Sequence, residues 1–408
     1  MLLAKLLGRI LQVGTLEIVD PKGVSHRVEG RRPGKQVTIR IHDPRTARRL
    51  LANARLALGE SYMDGTLTVE NGDIYDFLDL IGHSIEAFER HPFNALAGRA
   101  GFLLRSLKQY NPIGRAQKNV AHHYDLSGAL YDLFLDPDRQ YSCAYYRSPE
   151  DTLEQAQDQK KKHIAAKLLI RPEHKVLDIG SGWGGLALYL ARATGADVTG
   201  VTLSVEQQKV SQERAESEGL ANRVRFALRD YRQEPGRYDR IVSVGMFEHV
   251  GVGHYPEFFD KVRQLLAEDG VMLLHAIGRM EPPGGTNPWL QKYIFPGGYT
   301  PALSEVLAAI ERAGLWVTDC EILRLHYALT LRDWRKRFLA NRERVRALYD
   351  ERFCRMWEFY LAACEMSFRH MRQMVFQLQI TRHEQAVPLT RDYMYEIERE
   401  YLAARAAE

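Results

Sequence analysis

The sequence predicts an α/β chain: a parallel, doubly wound sheet with helices on both faces, preceded by a small α+β domain. Three observations predict it. From residue 175 onward, short apolar runs alternate with helical patterns. A cluster of glycines directly follows the first of those runs. The first 107 residues mix short strand-like runs and helices without that alternation. With 408 residues, 45% of them hydrophobic, the chain can bury more than one core.

The first ten residues are apolar and basic but too short for a span of about 18 apolar residues. They lack a small-residue cleavage site and read as an amphipathic helix rather than a signal peptide. Residues 1–60 hold twelve Lys/Arg against five Asp/Glu, a local charge of +7 where the whole chain carries +4. Such a segment suits an anionic lipid surface or a nucleic acid, and equally a solvated face. Strands are expected over 14–19 and 36–41, and helices over 44–58 and 74–87. Gly59-Glu-Ser-Tyr-Met-Asp-Gly65 reads as a turn-rich stretch. Residues 108–118 are polar, with Pro112, and read as a linker. This divides the chain into a docking domain at 1–107, the linker, and a larger domain at 119–408.

Residues 119–170 read as two helical pieces broken at Asp136-Pro-Asp138, with a non-helical loop at Tyr141-Ser-Cys-Ala-Tyr-Tyr146. Ser148-Pro-Glu-Asp151 carries the signals of a helix start: a serine cap, proline in the first turn, and acids near the N-terminus. Strands follow at 175–179, 197–202, 224–228, 238–244 and 270–277. A helix at 302–313 leads to a strand at 316–323, and the charged tail from 331 to 408 reads as helical. The four cysteines, Cys143, Cys320, Cys354 and Cys364, have no CxxC spacing. That argues against a zinc ribbon or thioredoxin-type motif and fits a reducing cytoplasm.

The first alternating strand ends in Asp178-Ile-Gly-Ser-Gly-Trp-Gly-Gly185. Gly180, Gly182 and Gly184 let the backbone turn tightly and approach a ligand, and a helix beginning near Gly184 aims its amide dipoles at that ligand. The letters also satisfy a dinucleotide fingerprint. Asp178 precedes the first glycine, however, and the second strand ends Gly200-Val-Thr-Leu-Ser204 with no acid for a nucleotide ribose. This favours S-adenosylmethionine over NAD, with a purely structural glycine turn as the remaining alternative. Asp230 can accept from an adenine amino group or be a solvated loop acid. Gln207 can reach the cofactor or be a surface glutamine.

Strand four runs into Val244-Gly-Met-Phe-Glu-His-Val-Gly251, and strand carboxyl ends face the ligand crevice of such a sheet. Glu248 and His249 therefore come near the reacting group. His275, near the end of the next strand, is either a satisfied core histidine or the partner of Glu248 in an acid–base or anion-holding pair. No third ligand makes this a metal site. His122-His123 reads as helix packing.

These stretches resemble cyclopropane-fatty-acid synthases and the related mycolic acid methyltransferases. The resemblance rests on Asp178 to Gly185, Gly200 to Ser204 with Gln207, and Phe247 to Gly251. It also rests on His123-Tyr-Asp125, Tyr141-Ser-Cys-Ala-Tyr145, Leu274-His-Ala-Ile-Gly278, Asn287-Pro-Trp289 and Lys292-Tyr-Ile-Phe-Pro296. They run in family order from about residue 119 to 370. The resemblance implies a class I methyltransferase, Rossmann-like fold and an S-adenosylmethionine-dependent enzyme. The first domain resembles the lipid-binding domain of full-length bacterial synthases. The implied reaction adds a methyl group to the cis double bond of a phospholipid acyl chain. A bound bicarbonate ion then deprotonates the resulting carbocation, and a cyclopropane ring closes.

By resemblance, the anion's holders are Cys143, Glu248, His275, the Ile277 main chain and Tyr327. The tyrosines and Trp289 could offer π-faces to the cation. Cofactor contacts carried over are Tyr141, Ser142, Gly180, Gly182, Thr202, Leu203, Gln207, Arg229 and Asp230. Two departures occur: Ser181 stands where many synthases carry cysteine, and Arg229 where some relatives carry tryptophan. The first is harmless in a loop that works through its backbone; the second puts that adenine contact in question. Cys364 matches a cysteine once favoured as a nucleophile, but the chemistry needs no thiolate, and Cys is a common core residue.

The expected protein is cytoplasmic, peripheral at the inner membrane face, and a homodimer by resemblance. The alternatives are an acyl methyltransferase that stops at a branched or methylene chain, and a non-catalytic lipid-binding protein. No nucleic-acid partner is expected, since the catalytic strand end lacks an Asn/Asp-Pro-Pro-Tyr-type motif.

Overall fold

The computed structural model describes residues 1–85 and 128–406, with side chains to residue 400. The expected linker at 108–118 and the motif His123-Tyr-Asp125, with His122, lie outside the described residues. The described residues form two compact units. One comprises residues 1–85, Gly284–Pro296 and Ala328–Gln373; the other comprises residues 128–283, Gly297–Tyr327 and 374–406.

The first unit is built on a four-stranded sheet of β1 (Val13–Val19), β2 (Ser25–Glu29), β3 (Arg32–Ile41) and β4 (Leu67–Asn71) in the order β2-β1-β3-β4. β1 and β3 are the two expected strands. Leu16, Ile18, Val37, Ile39 and Ile41 alternate inward and are almost fully buried. Helix Pro44–Met63 starts at Asp43, whose carboxylate caps the Arg45 amide, and continues through the stretch expected to turn at Gly59. A Cβ at Gly59 would clash with the indole of Trp289. Glycine serves close packing there, not a turn. Trp289 is buried, donates to Met63 Sδ at 3.3 Å and meets the Phe359 ring edge-on. Asn287 caps the short helix that carries it. The helix expected to reach residue 87 ends at Gly82.

The second unit holds seven strands in the order β10-β11-β9-β8-β5-β6-β7. Here β5 is Lys175–Ile179, β6 Asp197–Thr202, β7 Val224–Leu228, β8 Tyr238–Val244, β9 Leu266–Arg279, β10 Trp316–Leu323 and β11 Gln373–Thr381. The strands β7-β6-β5-β8-β9 are parallel neighbours. β10 and β11 pair antiparallel at the edge. Order runs outward from β5 in both directions, so the carboxyl ends of β5 and β8 flank the topological switch point.

Period-two alternation divides the core. Leu177, Ile179, Ile241, Met272 and Leu274 face helices Tyr255–Leu265 and Leu303–Arg312. Val176, Val198, Val242 and Leu273 face helices Leu153–Leu168 and Gly185–Thr194. Each fully buried Leu, Ile or Val contributes roughly 1.5–3 kcal/mol, so a sheet covered on both faces is strongly favoured.

Two further sequence expectations are corrected. The helix expected to open at Ser148 begins at Leu153, capped by Thr152 and Gln155 in a reciprocal box. Asp151 instead accepts from the Arg147 and Ser148 amides and closes the preceding turn. The tail is not wholly helical, because Gln373–Thr381 is a strand. Within that strand Gln377 and Gln379 are buried and hydrogen-bonded.

Candidate active site

β5 ends in Asp178-Ile179, and the chain turns through Gly180 to Gly184 into helix Gly185–Thr194. The Gly180 and Ser181 amides donate to the Val201 carbonyl at 2.9 and 3.1 Å, fixing the loop to β6. Gly182 has φ +54°, and a Cβ there would meet no atom within 4 Å. It opens on a cavity that it lines. Gly184 is set back from the wall, where a Cβ would press on Phe226 and Ser211.

The same cavity is lined by Tyr141, Ser142, Asp178, Gly180, Thr202, Leu203, Gln207, Arg229 and Asp230, all expected cofactor contacts. Gln207 is buried and its Oε1 accepts from Thr202 at 3.0 Å, which leaves its NH₂ group to donate. Asp230 is buried and paired with Arg232 through both oxygens, at 2.9 and 2.7 Å. Arg229 pairs with Glu234 at 2.8 Å. Asp178 is buried, and its Oδ2 has no hydrogen-bond partner. Burial pushes its carboxyl up to about 7, with Lys160 pulling the other way. An open glycine cradle and an uncompensated buried carboxylate oxygen fit a ligand that brings its own donors, as the ammonium, ribose and adenine of S-adenosylmethionine do.

The sequence reading missed what holds the Tyr141–Ser142 wall. On helix Leu153–Leu168, Gln157 donates to the Gln140 and Ser142 carbonyls at 3.2 and 3.0 Å. Lys160 donates to Gln140 Oε1 at 2.7 Å and Ser142 Oγ at 2.9 Å. Lys160 is fully buried, and burial pulls its pKa down to about 8. The readable signal was a lysine inside the apolar stripe Leu153, Ala156, Ile164, Leu168. Lys160→Met removes both bonds to the loop, worth about 1.5–3 kcal/mol each for a charged donor. S-adenosylmethionine affinity is expected to fall tenfold or more by calorimetry; unchanged affinity would mean the loop is held by other contacts.

At the reacting end, the Gly245 amide beyond β8 donates to the His275 carbonyl on β9 at 2.9 Å. Glu248 and His249 lie in the turn that follows, and His249 lines the cavity, with burial lowering its pKa to about 4. Glu248 is buried and accepts from the Ile277 amide through Oε1 at 2.6 Å. The Ile277 N–H expected to face an anion is thus committed to Glu248. Glu248 Oε2 and His275 Nε2 are both buried without a hydrogen-bond partner. Burial pushes Glu248 up to about 7, against the pull of the Ile277 amide. Burial holds His275 well below its ordinary pKa.

The structure therefore joins Glu248 to the Ile277 amide, two residues beyond His275 on β9; Met246 and His249 of the same turn line the cofactor cavity, while Glu248, His275 and Ile277 stand outside its lining. Cys143 is buried directly after the Tyr141–Ser142 wall, with its thiol toward the Ala144 carbonyl. Tyr327 is buried in the first turn of helix His326–Ala340. Cys364 lies in the first unit on helix Glu351–His370, where burial pushes its thiol up to about 12. A thiol held protonated is a poor nucleophile.

The family model for mycolic acid cyclopropane synthetase matches residues 113–378. The chain is 40% identical over 347 residues to a cyclopropane-fatty-acyl-phospholipid synthase of Escherichia coli (strain K12), covering 84% of this chain and 87% of that one. It is 36% identical over 374 residues to a probable fatty acid methyltransferase of Pseudomonas putida, covering 89% and 92%. Among solved structures, mycolic acid cyclopropane synthase CmaA1 complexed with SAH and CTAB aligns with TM-score 0.62 and 33% identity, over 67% of this chain and 99% of that one. The sheet order, the glycine cradle and these matches agree: the chain is an S-adenosylmethionine-dependent methyltransferase with a class I Rossmann-like fold, and it belongs to the mycolic acid cyclopropane synthetase family.

Proposed function

We propose that this enzyme transfers a methylene group from S-adenosylmethionine to the cis double bond of unsaturated phospholipid acyl chains and closes a cyclopropane ring, with bicarbonate as the base. The observation that carries the reading is that Glu248 Oε2 and His275 Nε2 are each buried without a hydrogen-bond partner, in residues linked through the Ile277 amide. Buried polar atoms are rarely left unpaired, and a small polar group that reaches both would satisfy them.

When bound, the sulfonium supplies an electrophilic methyl and the anion a proton acceptor. The chain supplies position and enclosure. Tyr141, Gly182, Gln207 and Asp230 hold the donor. Glu248 accepts the anion's hydroxyl, while His275, and Tyr327 from its helix, donate to the anion's oxygens. The alkene's π electrons form the new carbon–carbon bond as the carbon–sulfur bond breaks. A proton then leaves the added methyl, and its electron pair closes the ring. Tyr141 stands in an aromatic group with Tyr131, 5.3 Å away edge-on, and Tyr131 in turn contacts Trp183 at 4.8 Å. Such a wall stabilises a developing cation and keeps water from capturing it.

The test is turnover on vesicles of a cis-unsaturated phospholipid in carbonate-depleted buffer. Activity is expected to fall and to return on adding bicarbonate; turnover indifferent to bicarbonate would remove the anion from the account. A second reading, a methyltransferase that stops at a branched or methylene chain, is favoured by the similarity to the Pseudomonas protein.

The lipid surface is assigned to the first unit. Helix Leu2–Ile10 has no buried residue and carries Lys5 and Arg9, with Leu2 61% exposed. Among the described residues no helix is long and apolar enough to cross a membrane. Residues 1–107 are proposed as the docking domain, 108–118 as a linker and 119–408 as the methyltransferase domain, with the enzyme a homodimer at the inner membrane face. Deleting the docking segment is a poor test, because Tyr62 donates to Glu358 and Glu60 accepts from Lys292 within the same unit. Charge reversal is cleaner. At about 1 kcal/mol per basic residue near an anionic bilayer, Lys5→Glu with Arg9→Glu is expected to weaken binding to anionic vesicles at least tenfold. Activity on detergent-dispersed lipid should be unchanged. Equal vesicle binding would refute docking through this helix.

A further inference from the structure

His275 acts in the proposed reaction only if its inward nitrogen carries a proton. Which nitrogen does so follows from its neighbours. Lys167 Nζ lies 2.9 Å from a side-chain atom of Gln377, and the other end of that amide lies 3.1 Å from His275 Nδ1. Lysine only donates, so the atom facing Lys167 is the amide oxygen, and the atom facing His275 is the NH₂ group. Nδ1 must then accept. A neutral imidazole has one proton, which is left on Nε2, the nitrogen that is buried without a partner. Burial keeps this ring neutral, and Lys160, Lys167, His163 and His326 push in the same direction.

The clamp is itself held. Lys167 is fully buried, ion-pairs with Glu321, and lies 3.6 Å from Asp319. Glu321 is also bonded to His163 Nε2 at 2.7 Å, and His163 Nδ1 to Glu398. Burial opposes the charge on Glu321, but His163 and Lys167 hold its carboxyl well below the ordinary range. Gln377 is fully buried, so its amide has no water to turn towards.

We propose that Gln377 and Lys167 are positioning residues that lock His275 as its Nε2–H tautomer, aimed as a donor at whatever anion meets Glu248. The catalytic consequence rests on the proposed function; the tautomer itself does not. Without Lys167 the amide can turn and present its oxygen to Nδ1. The proton then moves to Nδ1, and a lone pair faces the anion.

The experiment combines histidine ¹⁵N shifts with kinetics in the full chain. The His275 signals are identified among the fourteen histidines by their loss in His275→Gln. Wild type is expected to show protonated Nε2. Gln377→Glu, whose carboxylate accepts from both sides, should move the proton to Nδ1, and Lys167→Met should give a mixture. Turnover should fall on the order of 10–100-fold, as when a group orienting an active histidine is removed, with S-adenosylmethionine affinity intact. If Gln377→Glu does not fold, Lys167→Met carries the test. A wild-type ring protonated on Nδ1, or a tautomer unmoved in the folded variants, overturns the lock. A tautomer that moves without loss of turnover leaves the lock standing and overturns its catalytic role.

Discussion

Glu248→Gln is expected to lower kcat by about 10²- to 10³-fold, the scale seen when one preorganised polar group is lost from a site where charge develops. Affinity for S-adenosylmethionine should stay within about twofold, because Glu248 is assigned to the anion and not to the sulfonium. The substitution keeps an oxygen for the Ile277 amide but turns the partnerless Oε2 into a donor. Equal losses in turnover and cofactor affinity would contradict this. The pH dependence carries a second signature. Burial raises Glu248 to about 7; because Oε1 accepts from the Ile277 amide, the neutral form carries its proton on Oε2, and only the ionised form offers Oε2 purely as an acceptor. The kcat/KM of the enzyme, which reports its ligand-free state, should therefore rise with pH through about 7 and level off. His275 adds no inflection, being neutral throughout, and Glu248→Gln should abolish the rise.

The same shift has a stability sign. A folded-state pKa above the unfolded value of 4.5 means that the folded chain holds a proton the unfolded chain releases. Stability therefore falls as pH rises from about 4.5 through about 7. The penalty is roughly 3 kcal/mol once both states are ionised. Glu248→Gln should be more stable than wild type at pH 8 by an amount of that order, and the difference should vanish near pH 4. Denaturant unfolding at the two pH values measures it, and a pH-independent difference would place the shift elsewhere.

Gly182→Val is the second large effect. The left-handed backbone costs a branched residue about 1–3 kcal/mol, and the side chain projects into the cavity that the donor needs. Binding of S-adenosylmethionine is expected to fall more than 100-fold by calorimetry. Because no protein atom lies within 4 Å of a Cβ there, the chain should still fold. Gly219 provides the control: it has φ +68°, an equally open environment and no part in the cavity. Gly219→Val should cost similar stability and no affinity. Equal loss of affinity in both would show that strain, and not occupancy, explains the result.

What the sequence disclosed followed from periodicity and local chemistry. Buried parallel strands are continuous apolar runs, and β5 through β8 lie where those runs predict them. The glycine turn and the Glu248 strand end are local signatures of the same kind. What it concealed depends on partners distant in the chain. In Gln373–Thr381 the glutamines alternate with apolar residues and read as a solvated face until Lys167, His275 and Tyr393 are placed against them. Lys160 breaks an apolar stripe and so is legible as an anomaly, but what it and the equally buried Lys167 hold is visible only once their distant partners are in place. Gly59 signals a turn unless Trp289 is known to lie on it.

Supplying the donor with a fully deuterated methyl group, and identifying the product by mass and by proton resonance, tests the central claim most directly. Ring closure through deprotonation of the added methyl leaves two of the three deuterons, in a CD₂ flanked by the strongly shielded protons of a cyclopropane. That is the expected product from cis-unsaturated phospholipid vesicles. A saturated branch retaining all three deuterons, or an open-chain methylene branch without the shielded protons, would contradict it.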